Sequence, residues 1–281
     1  MPAPISTFCS AHHAMATRFE IRIRHPDQRY ASQFASEAFG EIGALENLFS
    51  RYIEHSEISR FNRWPPGIPF SVSEPVFMCI ECAESVRTHT DGVFDICCAL
   101  GLPTASPARP RIVMDPLSQT ITRSDASVRL DLGGIGKGFA LERIGKLAEE
   151  WDITDWIVHG GFSSVLARGS SDETLCGWPV RLSGNTAHTI QLINQAVGAS
   201  GTDEKGDHIV DPRSGKARVF NPRVWVVGPD AATADALSTA FMLLDEASVR
   251  RTLDCYSGYE CIVDSDASRK GTGSIAQNPR N

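Results

Sequence analysis

Positive charge is scarce in this sequence. Its 281 residues carry 27 Lys and Arg against 34 Asp and Glu, a net charge of −7, and the cations form no stripe. Nucleic acid and anionic membrane both require clustered Lys and Arg, so neither is an expected partner. No window approaches the apolar length of a membrane span. Residues 1–25 lack the charged and apolar regions of a secretory signal, and the chain reads as cytoplasmic. Internal repeats and long linkers are missing too. So are H-E-x-x-H, a Ser-His-Asp order and a glycosidase carboxylate pair. Of the eight cysteines, only Cys79-x-x-Cys82 has redox or zinc spacing, and no second Cys or His pair follows. A chain this long can bury a core without disulfides. The pair therefore reads as reduced, partly buried thiols on a helix with Val76, Ile80 and Ala83 near one face.

What is present is an ordinary globular composition, 42% apolar and 22% charged, which supports one large domain. Phe19, Ile21 and Ile23 alternate as in a strand. Phe34, Ala38, Ile42, Leu45, Phe49 and Tyr52 recur every three or four positions, an amphipathic helix. Residues 56–63 read as a polar loop, and Pro-rich loops fall near 64–69 and 103–110. Short strands are predicted at 127–132, 155–159, 162–167, 178–182, 188–193, 195–199, 207–211, 223–228 and 259–263. Helices are predicted at 137–150 and 232–246. Many antiparallel-looking strands with few helices between them give an α+β fold. One domain is expected over 1–263, with a polar, frayed tail at 264–281.

Three segments could carry chemistry. The first runs from Asp131-Leu132 through Gly133-Gly134-Ile135-Gly136-Lys137-Gly138 into a helix. Glycines allow close backbone approach, and a helix N-terminus with Lys137 suits a phosphate. The spacing is neither Walker A nor Rossmann, and such turns are often purely structural. In the second, Asp235 and Thr239 lie four apart on one helix face. A carboxylate and a hydroxyl are hard donors suited to Mg²⁺, although a capping Asp and a back-bonding Thr explain the same residues. In the third, His208-Ile209-Val210-Asp211-Pro212 follows Ser200-Gly201, and His208 could bind phosphate or move a proton. Phe94 could lie beside a flat ligand or belong to the core.

The order of these segments, with Met15-Ala16-Thr17, Ser56 to Asn62, Thr90 to Asp95 and Gly160-Gly161, resembles the ApbE-type FAD:protein FMN transferases. The resemblance runs from about residue 15 to about 245. It implies an enzyme that binds FAD and Mg²⁺ and transfers FMN to a Thr or Ser hydroxyl of a target flavoprotein, releasing AMP. Some such enzymes instead hydrolyse FAD to FMN and AMP, and a FAD-binding protein without turnover is the reading from another class. By position, the resemblance makes Asp235, Thr239 and the Gly134 carbonyl the metal ligands. Met15, Asn62, Val93, Phe94, Asp95, Asp131, Lys137, Ser200, His208 and Ile209 would line the FAD site. His208 and Asp211 are the candidate bases. Three positions depart from the family pattern: Ala16 for a glycine, Phe162 for an acid, and Ala199 for the threonine before Ser200-Gly201.

Overall fold

A computed structural model describes residues 5–97, 111–174, 176–182, 189–201, 210–212, 216–217, 219–264 and 275–276, with backbone alone at 210, 211, 216, 217, 275 and 276. Strands β1 (Thr7–Ala14) and β2 (Thr17–Arg24) form a hairpin, followed by helix α1 (Gln28–Phe49). Asp27 caps α1 by accepting the Arg29 and Tyr30 N–H groups, and Ala31, Phe34, Ala38, Ile42 and Leu45 form its buried stripe. Helix α2 (Glu57–Arg63) begins at Ser56, whose side chain accepts the Ser59 N–H. Then come β3 (Phe70–Ser71), α3 (Glu74–His89), β4 (Ile112–Asp115) and β5 (Thr120–Arg123); the three strands make a small antiparallel sheet with β5 central.

The second half opens with α4 (Gly136–Glu150), β6 (Trp156–Gly160), β7 (Ser164–Arg168) and the hairpin of β8 (Trp178–Arg181) and β9 (Thr189–Leu192). It continues with β10 (Ala196–Gly201), the short pair β11 (Val210–Asp211) and β12 (Lys216–Ala217), and β13 (Arg223–Gly228). Helices α5 (Ala231–Phe241) and α6 (Glu246–Leu253) follow, then β14 (Glu260–Val263) and β15 (Ile275–Ala276). One eight-stranded sheet, ordered β1-β2-β6-β7-β10-β13-β14-β15, organises the molecule. Every adjacent pair in it is antiparallel.

Because side chains alternate across a strand, the sheet buries both faces. Phe19, Ile21, Ile23, Trp156, Val158 and Leu166 pack with α1 and α4 residues on one face. Ile157, Val165, Ala167, Val197 and Trp225 pack under the β8–β9 hairpin on the other. A third cluster joins α3, α5 and the small sheet. Among the described residues, no helix is long and apolar enough to cross a membrane.

The α+β class, the α1 stripe and most predicted strands are present. Several details differ. Tyr52, expected on the buried face of α1, is exposed, since the helix ends at Phe49. Residues 127–132 are extended but form no strand of a sheet, because the Asn62 side chain takes both backbone groups of Leu130. The 232–246 helix stops at Phe241. Asn221 takes the Phe241 and Leu244 carbonyls, and a separate helix starts behind the Asp245 cap. Residues 56–63, read as a loop, are largely α2. Of the 207–211 strand, β11 covers 210–211, and 207–209 lie outside the described residues. Ile275–Ala276, inside the segment expected to fray, pair with β14.

Candidate functional site

Helix α5 lies directly on β10 and against the start of α4. It can do so because it is rich in alanine and meets glycines: a Cβ at Gly198 would overlap the Ala234 backbone, and one at Gly138 would overlap the Ala231 carbonyl. This closeness places Asp235 between three elements. The carboxylate is buried, 4% exposed. Its Oδ2 accepts the Gly138 N–H at 2.8 Å, and both its oxygens lie within 2.8 Å of the Ser164 hydroxyl at the start of β7.

One turn along α5, Thr239 Oγ1 meets Ser200 Oγ at 3.2 Å, and Ser200 Oγ meets Ser238 Oγ at 2.8 Å. Ser238 and Thr239 hydroxyls also donate to the Asp235 carbonyl, the back-bonding their sequence allows. Gly134 faces this cluster. A Cβ there would stand 3.6 Å from Thr239 Oγ1 and 3.2 Å from the Phe94 ring. The fold thus brings together Gly134, Ser200, Asp235 and Thr239, the first three from different elements. One carboxylate, hydroxyls and backbone oxygens are hard donors, and they fit a small divalent cation such as Mg²⁺.

The glycine-rich turn is held tightly. Asp131 Oδ1 accepts the Gly133 N–H at 2.9 Å, while its Oδ2 pairs with Arg51 Nε at 3.2 Å. Ile135 and Gly136 N–H groups both bond to the Leu132 carbonyl, and Gly138 N–H goes to Asp235. Four of the turn's amides are therefore engaged within the protein. These amides are not free for a ligand. Lys137, half-buried in the first turn of α4, and the positive end of the helix remain as electropositive features.

Around this centre, Met15 sits in the β1–β2 turn at φ 50° and donates its N–H to Glu46 Oε1 at 2.8 Å. Val93 and Phe94 are buried at 2% and 4% exposure, so Phe94 is a wall rather than a protruding ring. Asp95 is paired with Arg87 and Arg111 at 3.7 and 3.2 Å and accepts the Cys97 N–H. Asn62 uses both ends of its amide on Leu130, at 2.7 and 2.9 Å. His208 and Ile209 lie outside the described residues, and of Asp211 the backbone alone is described, in β11.

Sequence reasoning missed Ser164, Ser238 and Arg51. A polar Ser164 at the head of the apolar run Val165-Leu166-Ala167 was the available signal for the first. Cys79 and Cys82 are free thiols on α3, with Cys82 Sγ 3.7 Å from Thr233 Oγ1 of α5. Burial pushes the Cys82 thiol up to about 11 and raises Cys79 as well, which suits inert core residues.

The sequence model of the ApbE family matches residues 15–263. The chain belongs to the ApbE family. Among its relatives, the FAD:protein FMN transferase of Salmonella typhimurium is 24% identical over 271 residues, covering 82% of this chain and 76% of that protein. The one of Chlamydia trachomatis is 26% identical over 230 residues, covering 70% and 71%. Two solved ApbE structures share the fold. The flavin transferase ApbE from Vibrio cholerae has a TM-score of 0.80 at 21% identity, covering 94% of this chain and 95% of its own. The ApbE protein from Thermotoga maritima also has a TM-score of 0.80, at 22% identity, covering 96% of each chain.

Proposed function

We propose that this ApbE-family chain is an Mg²⁺-dependent FAD:protein FMN transferase, which moves FMN from FAD to a Thr or Ser hydroxyl of a target flavoprotein and releases AMP. The observation that carries this reading is the convergence of Asp235, Thr239, Ser200 and Gly134 beside the electropositive start of α4. A site of hard oxygens next to a cationic helix end matches a metal-bridged pyrophosphate better than a lone ring.

In this reading Asp235, Thr239 and the Gly134 carbonyl would hold Mg²⁺. Bound there, the ion would supply Lewis-acid neutralisation of phosphate charge. Lys137 balances negative charge on the departing AMP phosphate. As the acceptor oxygen bonds to the FMN phosphorus, the bond from that phosphorus to the bridging oxygen breaks and AMP departs. The hydroxyl proton goes to a base, for which His208 and Asp211 are the candidates. Buried Phe94 and Val93 close one side and help exclude water, whose attack would give free FMN. Met15, Asn62, Asp95, Asp131 and Ile209 complete the proposed FAD surroundings, the first four as residues that fix backbone around the flavin.

The test incubates the chain with FAD and Mg²⁺, with and without an acceptor polypeptide bearing Thr. Acceptor-dependent AMP release with covalent flavin on the acceptor is expected. AMP and free FMN regardless of acceptor would make the chain a FAD pyrophosphatase, and FAD binding without AMP would leave a binding protein.

A further inference from the structure

The glycine-rich turn does not hang from a sheet. The segment before it, 127–132, has its Leu130 backbone held by an amide side chain, Asn62 at the end of α2. Asn62 is itself stapled from behind by Arg123, the last residue of β5. Arg123 Nη1 donates to the carbonyls of Asn62 at 3.2 Å and Val128 at 3.1 Å, and Nη2 donates to the Trp64 carbonyl. Asn62 and Trp64 offer the open carbonyls at the C-terminal end of α2, where a cation is favoured.

This arginine is expensive for mere packing. It is 5% exposed, the hydrogen-bond acceptors its guanidinium reaches are neutral backbone carbonyls, and its Nε has no hydrogen-bond partner among the described residues. A buried cation with an unmet donor costs more than an apolar side chain of similar volume. What it does uniquely is fix two pieces of backbone at one point. Asn62 O and Val128 O both accept from the one Nη1, and Leu130, two residues beyond Val128, is gripped by the same Asn62. Asp131 follows, with its N–H on the Ile96 carbonyl and its carboxylate on Gly133 and Arg51. A continuous hydrogen-bonded path therefore runs from Arg123 to the turn that faces Thr239.

We propose that Arg123 is a positioning residue for the glycine-rich turn, acting through Asn62 and Leu130. The expected effect on flavin binding rests on the transferase reading; the effect on the turn does not. The first readout is therefore hydrogen–deuterium exchange in the ligand-free protein. Arg123→Met should speed exchange at the Leu130 and Gly133 amides by about tenfold or more, while Trp156–Gly160 in β6 keeps its protection. FAD affinity, followed by flavin fluorescence, should fall by about tenfold in the same variant. Unchanged exchange at Leu130 and Gly133 in the folded variant would overturn the proposal. So would uniform acceleration over the whole chain, which marks an arginine that serves stability alone.

If Arg123→Met does not fold, Arg123→Lys and Asn62→Ala decide the matter together. The double variant should exchange at Gly133 no faster than Asn62→Ala by itself, because both changes cut one path. Additive acceleration would overturn it. Failure of the wild-type chain to bind FAD would remove the transferase reading, and the exchange data would still decide the role of Arg123.

Discussion

Asp235 of α5 caps the N-terminus of α4. Its carboxylate takes the N–H of Gly138, in a helix whose own N-cap, Ile135, provides no side-chain hydrogen bond. Glu142 of α4 returns the contact by accepting the Ala231 N–H at the start of α5. Each helix thus gives a backbone N–H to a carboxylate of the other, α5 being capped also by its own Asp230, and one of those carboxylates is the proposed metal ligand. Asp235 has a structural role and a chemical one, and substitutions can separate them.

Asp235→Asn should lower both stability and turnover. The amide keeps one acceptor oxygen but loses the charge and part of the Ser164 and Gly138 set, at a cost of about 1–2 kcal/mol. Turnover should fall by orders of magnitude once a metal ligand's charge is gone. Ser164→Ala isolates the structural share: a similar loss of stability with most activity kept. Thr239→Val should reduce activity less than Asp235→Asn. Urea melts and AMP release against Mg²⁺ concentration check all three. Near-normal turnover and Mg²⁺ dependence in Asp235→Asn would remove Asp235 from the site.

Gly138→Ala should be among the most damaging single-methyl changes in the chain. The added carbon would overlap the Ala231 carbonyl, which is backbone and cannot swing away. Separating α4 from α5 also stretches the Asp235 contact. A loss of about 3 kcal/mol, with activity lost even where the protein remains folded, is expected from thermal melts and assays below the melting range.

The Glu142 contribution to stability should decline between about pH 5 and pH 7.5. Burial pushes the Glu142 carboxyl up to about 7; the Ala231 N–H bond opposes this, nearby Asp230 adds to it, and Arg168 and Lys146 oppose it. An acid whose pKa is higher in the folded than in the unfolded chain favours folding most when protonated. That advantage is lost as pH rises from the unfolded value through the folded one. The shift corresponds to about 3 kcal/mol across the window. Glu142→Gln keeps an acceptor for Ala231 and should flatten this slope. An unchanged pH dependence of the melting temperature in the variant would refute the assignment.

Replacing the thiols at 79 and 82 should leave activity intact. Cys79 is fully buried and Cys82 partly so on α3, with Cys82 Sγ near Thr233 Oγ1 at 3.7 Å. With both pKa values raised, the wild-type protein should react slowly with a disulfide reagent at pH 8. Cys79→Ala with Cys82→Ser should transfer flavin at the wild-type rate, and loss of transfer with the fold intact would reopen a redox role.

Much of this architecture is legible in the chain. The alternation in Arg18 to Arg24 and the stripe from Phe34 to Phe49 gave their elements because each has one clearly apolar face. The four-residue spacing of Asp235 and Thr239 marked them as neighbours on a helix. The residues that meet them were harder to read. Ser164 and Ser200 arrive from strands, and strand pairing is set by long-range register. The Met242-Leu243-Leu244 run extends the apolar pattern of α5 beyond its end, since those residues are buried without being helical in α5. Residues 127–132 look like a strand because they are half apolar, but the partner of the Leu130 backbone is a side chain 68 positions away, which no local pattern reveals.

The contact of α5 with β10 also constrains how the site can diversify. With Gly198 under Ala234 and Gly138 under Ala231, this helix rests backbone on backbone, and neither glycine position has room for a larger residue. Mutation can hardly reshape that jaw without dislodging it.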